Sequence, residues 1–211
     1  MNNTKIKICG ITNIEDVLCA KNAGADFIGF VFYNKSPRYI SPDKALEIKK
    51  QLGADIKTIG VFVNETKEAI LEIKNKIGLD FVQIHGDETI DYCYDFDLDS
   101  LIKVLRVKDS NKEQLEEYLN SKLEYVLLDK YSEKQYGGTG ELINLDNEII
   151  DFAKNFKGKL FVSGGLNCEN VCSIIETFNP FCVDVSSGVE IEPGKKDCNK
   201  IKEFIAIVKN L

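Results

Sequence analysis

The feature of this chain that most restricts its fold is a repeating pattern: a short apolar run, a turn, and then a segment with helical periodicity that carries Lys and Glu. Helical segments of this kind include residues 14–24, 42–52, 66–77, 111–120 and 145–156. The apolar runs are residues 5–9, 27–32, 58–63, 81–85, 101–107, 125–129, 160–164 and 181–186. The pattern therefore predicts eight strands that alternate with helices.

Strands that alternate with helices favour a parallel sheet, and a count of eight favours closure of that sheet into a ring. We therefore predict the α/β class and a (β/α)8 TIM barrel, for which 211 residues are near the lower limit. An open doubly wound sheet is the alternative architecture. Units of about 20–30 residues leave no room for a linker, so we expect residues 1–211 to form a single domain, with two small domains as the alternative.

The overall composition argues against several classes of partner. A formal net charge of -7 is unsuited to binding a nucleic-acid backbone, which requires clustered Lys and Arg. We find neither a secretory signal nor an apolar stretch of about 20 residues, so we expect no membrane contact and a cytoplasmic protein. Seven cysteines are scattered without the close spacing of a disulfide scaffold, and we interpret them as reduced thiols.

In either architecture, polar groups just beyond the carboxyl ends of the strands collect on one rim and form the site. Cys9, Arg38, His85 and Asp129 all occupy such positions. His85 is the only histidine of the chain. Its imidazole could take part in catalysis, or it could simply form hydrogen bonds with backbone groups of the rim. Arg38 has the alternative of being an ordinary surface arginine.

Small residues follow the last two predicted strands. Gly164 and Gly165 open one loop, and Ser187 and Gly188 open the next. Backbone N–H groups at such positions can approach a ligand closely, and the corresponding loops of eight-stranded barrels commonly hold phosphate. We therefore predict a phosphate site there, although two glycine turns that merely end two strands would have the same sequence.

Two inward-pointing charges are predicted inside the ring. Strand alternation places Lys7 and Cys9 on the same inward face, and Asp184 points inward from the eighth strand. The first and eighth strands become neighbours when a barrel closes, so we predict a buried Lys7–Asp184 pair, because lone charges there would be too costly. The pair could stabilise the interior or tune Cys9, or Asp184 could contact the substrate.

Seven motifs follow one another along the chain: KICGIT (7–12), GADFIGFVFYNKSPRYIS (24–41), GVFVN (60–64), FVQIHGDE (81–88), LLDKY with YGGTG (127–140), SGGLNCENV (163–171) and VDVSSGVEIEPGKKD (183–197). In this order they resemble one known family, the phosphoribosylanthranilate isomerases. The resemblance implies an isomerase of tryptophan biosynthesis. Its reaction would be the Amadori rearrangement of N-(5-phosphoribosyl)anthranilate to the corresponding 1-deoxyribulose 5-phosphate.

Carried over position by position, the resemblance makes Cys9 the general base, Asp129 the general acid and Arg38 the contact for the anthranilate carboxylate. His85 and Asp184 are further candidates for substrate contacts. The resemblance implies no cofactor and no metal, and the expected partner is a small phosphosugar bound by a monomer or a homodimer. A thiol acting as base needs a nearby positive charge, which Lys7 could supply.

The segment YGGTG resembles a mobile cover over the site, and a plain flexible turn is the alternative. Among related enzymes, a metal-dependent ribulose-phosphate epimerase would require two His ligands, and the histidine-pathway sugar isomerase uses two Asp in place of the KICGIT cysteine. An inactive barrel that binds a phosphosugar or acts as a scaffold is the alternative from another class. The presence of Cys9, Asp129 and Arg38 together argues against it.

Overall fold

A computed structural model describes residues 3–53, 55–107, 112–130 and 147–211. The strands are β1 (Lys5–Cys9), β2 (Phe27–Val31), β3 (Lys57–Phe62), β4 (Phe81–Ile84), β5 (Leu101–Val107), β6 (Tyr125–Lys130), β7 (Lys159–Val162) and β8 (Cys182–Val185). Each strand overlaps a run that the sequence predicts, with ends that differ by at most two residues.

The eight strands are all parallel and form a closed barrel in chain order, in which β8 pairs with β1. The helices that alternate with them are α1 (Ile14–Ala23), α2 (Pro42–Lys49), α3 (Lys67–Ile77), α4 (Ile90–Cys93), α5 (Lys112–Leu119), α6 (Asn147–Asn155), α7 (Val171–Phe178) and α8 (Cys198–Lys209). The predicted (β/α)8 fold is confirmed, and the open doubly wound sheet is wrong because the edge strands of such a sheet are paired here.

Local sequence explains where several helices begin and end. The side chains of Asn13, Ser41 and Thr66 accept hydrogen bonds from backbone N–H groups of the first turns of α1, α2 and α3. Gly24 and Gly78 end α1 and α3 in the left-handed conformation, with φ of 96° and 73°. Local hydrogen bonding and backbone conformation therefore fix the ends of these helices.

Two apolar cores support the barrel. The larger core lies between the strands and the helices, and the smaller one fills the amino-terminal half of the barrel interior. In the smaller core the rings of Phe27, Phe81, Tyr125, Phe161 and Phe181 contact one another with centroids 5.4–6.4 Å apart. These rings close the lower end of the barrel, which leaves the carboxyl ends of the strands as the open end.

One element near the site was not predicted from the sequence. The connection from β8 to α8 contains a two-stranded antiparallel hairpin of β9 (Glu190–Glu192) and β10 (Lys195–Lys196). Gly194 forms its turn with φ of 84°. The strands are only three and two residues long, which is too short for an alternation pattern to be recognised.

The interpretation of all seven cysteines as reduced thiols is wrong for one pair. Cys19 on α1 and Cys198 at the start of α8 form a disulfide, with Cα atoms 5.9 Å apart. The two residues are 179 positions apart in sequence, and they become neighbours only because barrel closure brings the first and last helices together. Among the helices of the described ranges, none is both long and apolar enough to cross a membrane.

Candidate active site

The open end of the barrel contains a cavity with a free volume of about 690 Å³, part of which is continuous with bulk solvent. Most of the candidate residues from the sequence line it together, namely Cys9, Arg38, His85, Asp129, Gly164, Gly165, Asp184 and Ser187. The wall also has an apolar part, which consists of Val31, Val61, Val63 and Leu166 together with Tyr33.

The predicted pair of charges lies at the floor of this cavity. Lys7 Nζ is 2.7 Å from Asp184 Oδ2, and the two residues are direct partners in the β1–β8 ladder. Lys7 is fully buried, and its Nζ also donates to Gln83 Oε1 at 2.7 Å. Burial lowers the pKa of Lys7, but the charge and hydrogen bond of Asp184 raise it more, so Lys7 stays charged at neutral pH.

Asp184 has a second carboxylate oxygen that is available to a ligand. Asp184 Oδ1 is buried and has no hydrogen-bond partner among the described residues, although the side chain lines the cavity. A buried carboxylate oxygen without a partner is costly, and a hydroxyl group of a bound molecule would satisfy it.

Cys9 ends β1, and its side chain lies against Gly29 of the neighbouring strand. A Cβ atom at Gly29 would come within 2.7 Å of Cys9 Sγ, so glycine is required to make room for the thiol. Burial raises the pKa of Cys9, and the positive charges of Lys7 and Lys196 counteract this effect only in part. The thiol in the unliganded site is therefore protonated at neutral pH, contrary to the expectation that a nearby cation would suffice to ionise it.

Asp129 ends β6 on a different side of the cavity and is only 4% exposed. Its Oδ1 accepts a hydrogen bond from the backbone N–H of Lys130 at 2.9 Å, and its Oδ2 is 2.9 Å from His85 Nε2. The other imidazole nitrogen, Nδ1, is 2.9 Å from Gln83 Nε2. His85 thus bonds to two side chains rather than to backbone groups of the rim.

Gln83 is a site residue that the sequence reasoning missed. Its position in strand β4, two residues before His85, makes it a polar group at an inward-facing position, and this was the available signal. Its partner Lys7 belongs to a strand that is not a neighbour in the ring, so strand pairing alone could not identify the contact.

Arg38 lines the cavity but is 8% exposed, so its interpretation as a surface arginine is wrong. Its Nε and Nη2 donate to the two carboxylate oxygens of Glu190 at 2.9 and 2.7 Å. Lys196 Nζ is 2.7 Å from Glu190 Oε1, so two cations surround one carboxylate. Burial raises the pKa of Glu190, but Arg38 and Lys196 lower it more, and the carboxylate stays charged.

Glu190 and Lys196 are two further residues that sequence reasoning missed, because both belong to the short β9–β10 hairpin.

Beside this cluster, Gly10 has φ of +77°, and a Cβ atom there would come within 2.6 Å of Arg38 Cδ. Glycine is therefore required at this position of the loop after β1, because a larger residue would collide with the side chain of Arg38.

The glycine-rich loops after β7 and β8 lie at the same end of the cavity. Gly164 and Gly165 both line it with left-handed backbones, φ of +88° and +68°. Ser187 lines it from the next loop, but Gly188 does not. Gly188 instead packs against the carbonyl group of Leu166, where a side chain would collide, and thereby brings the two loops together.

The segment YGGTG lies outside the described residues, so the prediction of a cover is not addressed by the structure. Among the residues that are described, we find no group of three or more His, Cys, Asp or Glu that could hold a metal ion.

Sequence comparison gives one consistent result over nearly the full chain. A family model described as N-(5'phosphoribosyl)anthranilate (PRA) isomerase matches residues 6–207. The N-(5'-phosphoribosyl)anthranilate isomerase of Thermotoga neapolitana is 46% identical over 211 residues, which cover 98% of this chain and 99% of the relative. The isomerase of Aquifex aeolicus is 48% identical over 207 residues, or 98% of each chain.

Solved structures agree with the sequence relatives. The phosphoribosyl anthranilate isomerase of Thermotoga maritima superposes with a TM-score of 0.87 at 44% identity, over 99% of this chain and 100% of that chain. An isomerase in complex with reduced 1-(o-carboxyphenylamino)-1-deoxyribulose 5-phosphate gives 0.83 at 44% identity with the same coverage. Monomers generated from the dimeric Thermotoga maritima isomerase give 0.83 at 43% identity, again over 99% and 100%.

Proposed function

Because the chain belongs to the N-(5'-phosphoribosyl)anthranilate isomerase family, we propose that Cys9 and Asp129 are the base and the acid of the family's reaction in this protein. The chain is an aldose–ketose isomerase of tryptophan biosynthesis that converts N-(5-phosphoribosyl)anthranilate to 1-(2-carboxyphenylamino)-1-deoxyribulose 5-phosphate. The observation that carries the proposal is the position of a thiol and a carboxyl group in the walls of one cavity.

The reaction requires two proton transfers at different atoms of the sugar. A proton from Asp129 to the furanose ring oxygen opens the ring and leaves a Schiff base. The minority of Cys9 that is present as thiolate then removes the proton from the adjacent carbon and gives an enolamine, which tautomerises to the ketone. Strands β1 and β6 are separated by β7 and β8 in the ring, so the two groups reach the substrate from different sides.

We propose that Arg38 binds the anthranilate carboxylate. Its Nε and Nη2 donors are used by Glu190, which leaves the Nη1 donors of a side chain that lines the cavity. Arg38 and Lys196 carry one positive charge more than Glu190 neutralises, so this cluster attracts an anion. The apolar side chains of Val31 and Val61 on the cavity wall suit the aromatic ring of the same group.

The other end of the substrate suits the glycine-rich loops. We propose that Gly164, Gly165 and Ser187 bind the phosphate through backbone N–H groups and the serine hydroxyl. Gly188 has a supporting role in this proposal, because it permits the close packing of the two loops. Asp184 Oδ1 is assigned to a sugar hydroxyl, which combines the two alternatives for this residue, since Oδ2 pairs with Lys7.

The remaining expectations form part of the same proposal. The binding partner is a small phosphosugar. Since the Thermotoga maritima relative is dimeric, this chain should be compared in solution with the masses of a monomer and a homodimer. We further propose that residues 1–211 act as one catalytic domain and that the protein works in the cytoplasm.

A direct isomerisation assay on freshly prepared phosphoribosylanthranilate tests the roles of the two groups. We expect Cys9→Ala and Asp129→Asn each to lower kcat by about 10²- to 10⁴-fold. Cys172→Ala and Asp43→Asn are matched controls, because Cys172 is outside the cavity and Asp43 is exposed. Undiminished turnover in either site variant, with the fold intact by circular dichroism, would remove that residue from its role.

A further inference from the structure

A continuous chain of side-chain hydrogen bonds crosses the floor of the cavity and connects Lys7 to Asp129. Lys7 Nζ donates to Gln83 Oε1 at 2.7 Å, Gln83 Nε2 is 2.9 Å from His85 Nδ1, and His85 Nε2 is 2.9 Å from Asp129 Oδ2. All four side chains are nearly inaccessible, with exposures of 0%, 1%, 8% and 4% in chain order. The chain of bonds is therefore largely shielded from water, which would otherwise exchange with its members.

The direction of each bond in this chain follows from the chemistry of Lys7. An ammonium group has donors only, so Gln83 must present its carbonyl oxygen to Lys7. The amide NH2 group of Gln83 then faces His85, and it can only donate there. Nδ1 of His85 must therefore accept, which means that it carries no proton. The proton of the neutral imidazole is on Nε2, and the N–H group there donates to Asp129.

The same argument fixes where Asp129 can carry a proton. Its Oδ2 faces the N–H group of His85, and its Oδ1 faces the backbone N–H of Lys130. A proton on either oxygen cannot point along these two directions, because a donor already occupies each. Each oxygen keeps one further lone pair for a proton, and because Asp129 lines the cavity, a proton held there can face a bound substrate.

We propose that Gln83 and His85 are positioning residues. Because Lys7 can only donate, they direct a hydrogen bond from His85 Nε2 to Asp129, and this bond keeps the proton of the general acid on the substrate side. The inference rests on the proposed role of Asp129 and deepens it. Lys7 also lies beside the proposed base, because a Cβ atom built at Gly29 would meet Cys9 Sγ at 2.7 Å and Lys7 Cε at 3.1 Å.

The protonated nitrogen of His85 can be measured directly in the unliganded protein. His85 is the only histidine, so imidazole signals in a long-range ¹H–¹⁵N spectrum require no assignment. In the wild type at pH 7.5 we expect a proton on Nε2 and none on Nδ1. In Gln83→Glu the new carboxylate can only accept, so we expect Nδ1 to become protonated. A wild-type proton on Nδ1, or an Nδ1 that stays unprotonated in Gln83→Glu, would overturn the proposal.

Kinetics separate this role from a purely structural one. A misdirected acid proton affects the chemical step and not substrate binding, so we expect Gln83→Glu to lower kcat about 10- to 100-fold with KM nearly unchanged. Gln51→Glu makes the same exchange at an exposed position and should leave both constants at the wild-type values. A loss confined to KM would contradict the proposal.

A second variant covers the case in which Gln83→Glu does not fold. Gln83→Met keeps the length of the side chain but removes the amide donor that faces Nδ1 of His85, while Asp129 still accepts from Nε2. We therefore expect kcat to fall with KM nearly unchanged, and an unchanged kcat in Gln83→Met would show that Gln83 does not act on Asp129. The Asp129→Asn assay is independent of these spectra. If that variant stays active while His85 behaves as expected, then the role of Asp129 fails and the hydrogen-bond chain stands.

Discussion

Lys7 shows how much one buried residue contributes both to the site and to the barrel. Its ammonium group donates hydrogen bonds to Asp184 and Gln83, and none of its surface is accessible to solvent. A buried charge of this kind is tolerated only when it is paired and hydrogen-bonded. The sequence predicts the Asp184 contact from strand alternation and barrel closure, whereas the Gln83 contact crosses the interior and is not accessible to such reasoning.

We expect Lys7→Met to lower the free energy of unfolding by about 3–5 kcal/mol, because buried Asp184 loses its cation and must either remain an unpaired charge or take up a proton. Burial already raises the pKa of Asp184, and the loss of Lys7 raises it further. Urea unfolding at pH 7 measures the change. Lys5→Met is the matched control on the same strand, since Lys5 is about half exposed and pairs with Asp26, and it should cost less than about 1 kcal/mol. Equal losses in the two variants would contradict the assignment of a buried pair.

The thiol of Cys9 gives a prediction about pH. Since its pKa lies above the ordinary value, the reactive thiolate forms only at alkaline pH. Alkylation of Cys9 by iodoacetamide, followed by mass spectrometry of its peptide, should therefore show a midpoint above the value of about 8.5 for a free thiol. Lys7→Met removes a cation that lowers the pKa, so the midpoint should move further up. A wild-type midpoint below that of the free thiol would contradict the stated effect of burial.

At the scale of elements, the eight barrel strands were predictable from the sequence, whereas the β9–β10 hairpin at the open end of the barrel was not. Apolar runs and turns identify all eight barrel strands, because each strand is buried on both faces. The β9–β10 hairpin has no such run. Its Glu190 pairs with Lys196 of the same hairpin and with Arg38, which lies 152 residues earlier in the chain. Their contribution to the site depends on tertiary contacts that no local pattern encodes.

The hairpin holds Arg38 in place, so Glu190→Gln should affect binding more than chemistry. The variant loses a charge-assisted pair with two hydrogen bonds, and Arg38 becomes free to adopt other conformations. We expect KM for phosphoribosylanthranilate to rise about 10-fold with kcat nearly unchanged, which corresponds to about 1.4 kcal/mol. Steady-state assays measure both constants. Glu192→Gln, on the exposed side of the hairpin, is the control, and an unchanged KM in Glu190→Gln would count against the role of the hairpin.

At the scale of the whole molecule, the ring is closed twice, by the β1–β8 ladder and by the disulfide between α1 and α8. The ladder follows from the predicted fold. The disulfide could not be predicted, because seven cysteines without a characteristic spacing permit many pairings. Only the three-dimensional arrangement places Cys19 beside Cys198.

The disulfide predicts two measurements on protein purified without reductant. Unfolded but unreduced protein should present five titratable thiols, since five of its cysteines are free. Reduction should lower the free energy of unfolding by about 2–4 kcal/mol, because a long loop is no longer closed in the unfolded chain. Cys19→Ser should reproduce the reduced stability, whereas Cys168→Ser should not change it. Seven titratable thiols in the unreduced protein would contradict the bond.

The Lys7–Asp184 contact also has a consequence for the order of events during synthesis. Lys7 leaves the ribosome early, but its counterion follows 177 residues later. Until then, burial of the unpaired ammonium would be too costly, so we expect it to stay in water and the cavity to remain unformed. We therefore expect a nascent chain without the eighth strand to be inactive. The pairing of that strand with the first closes the ring and also completes the site.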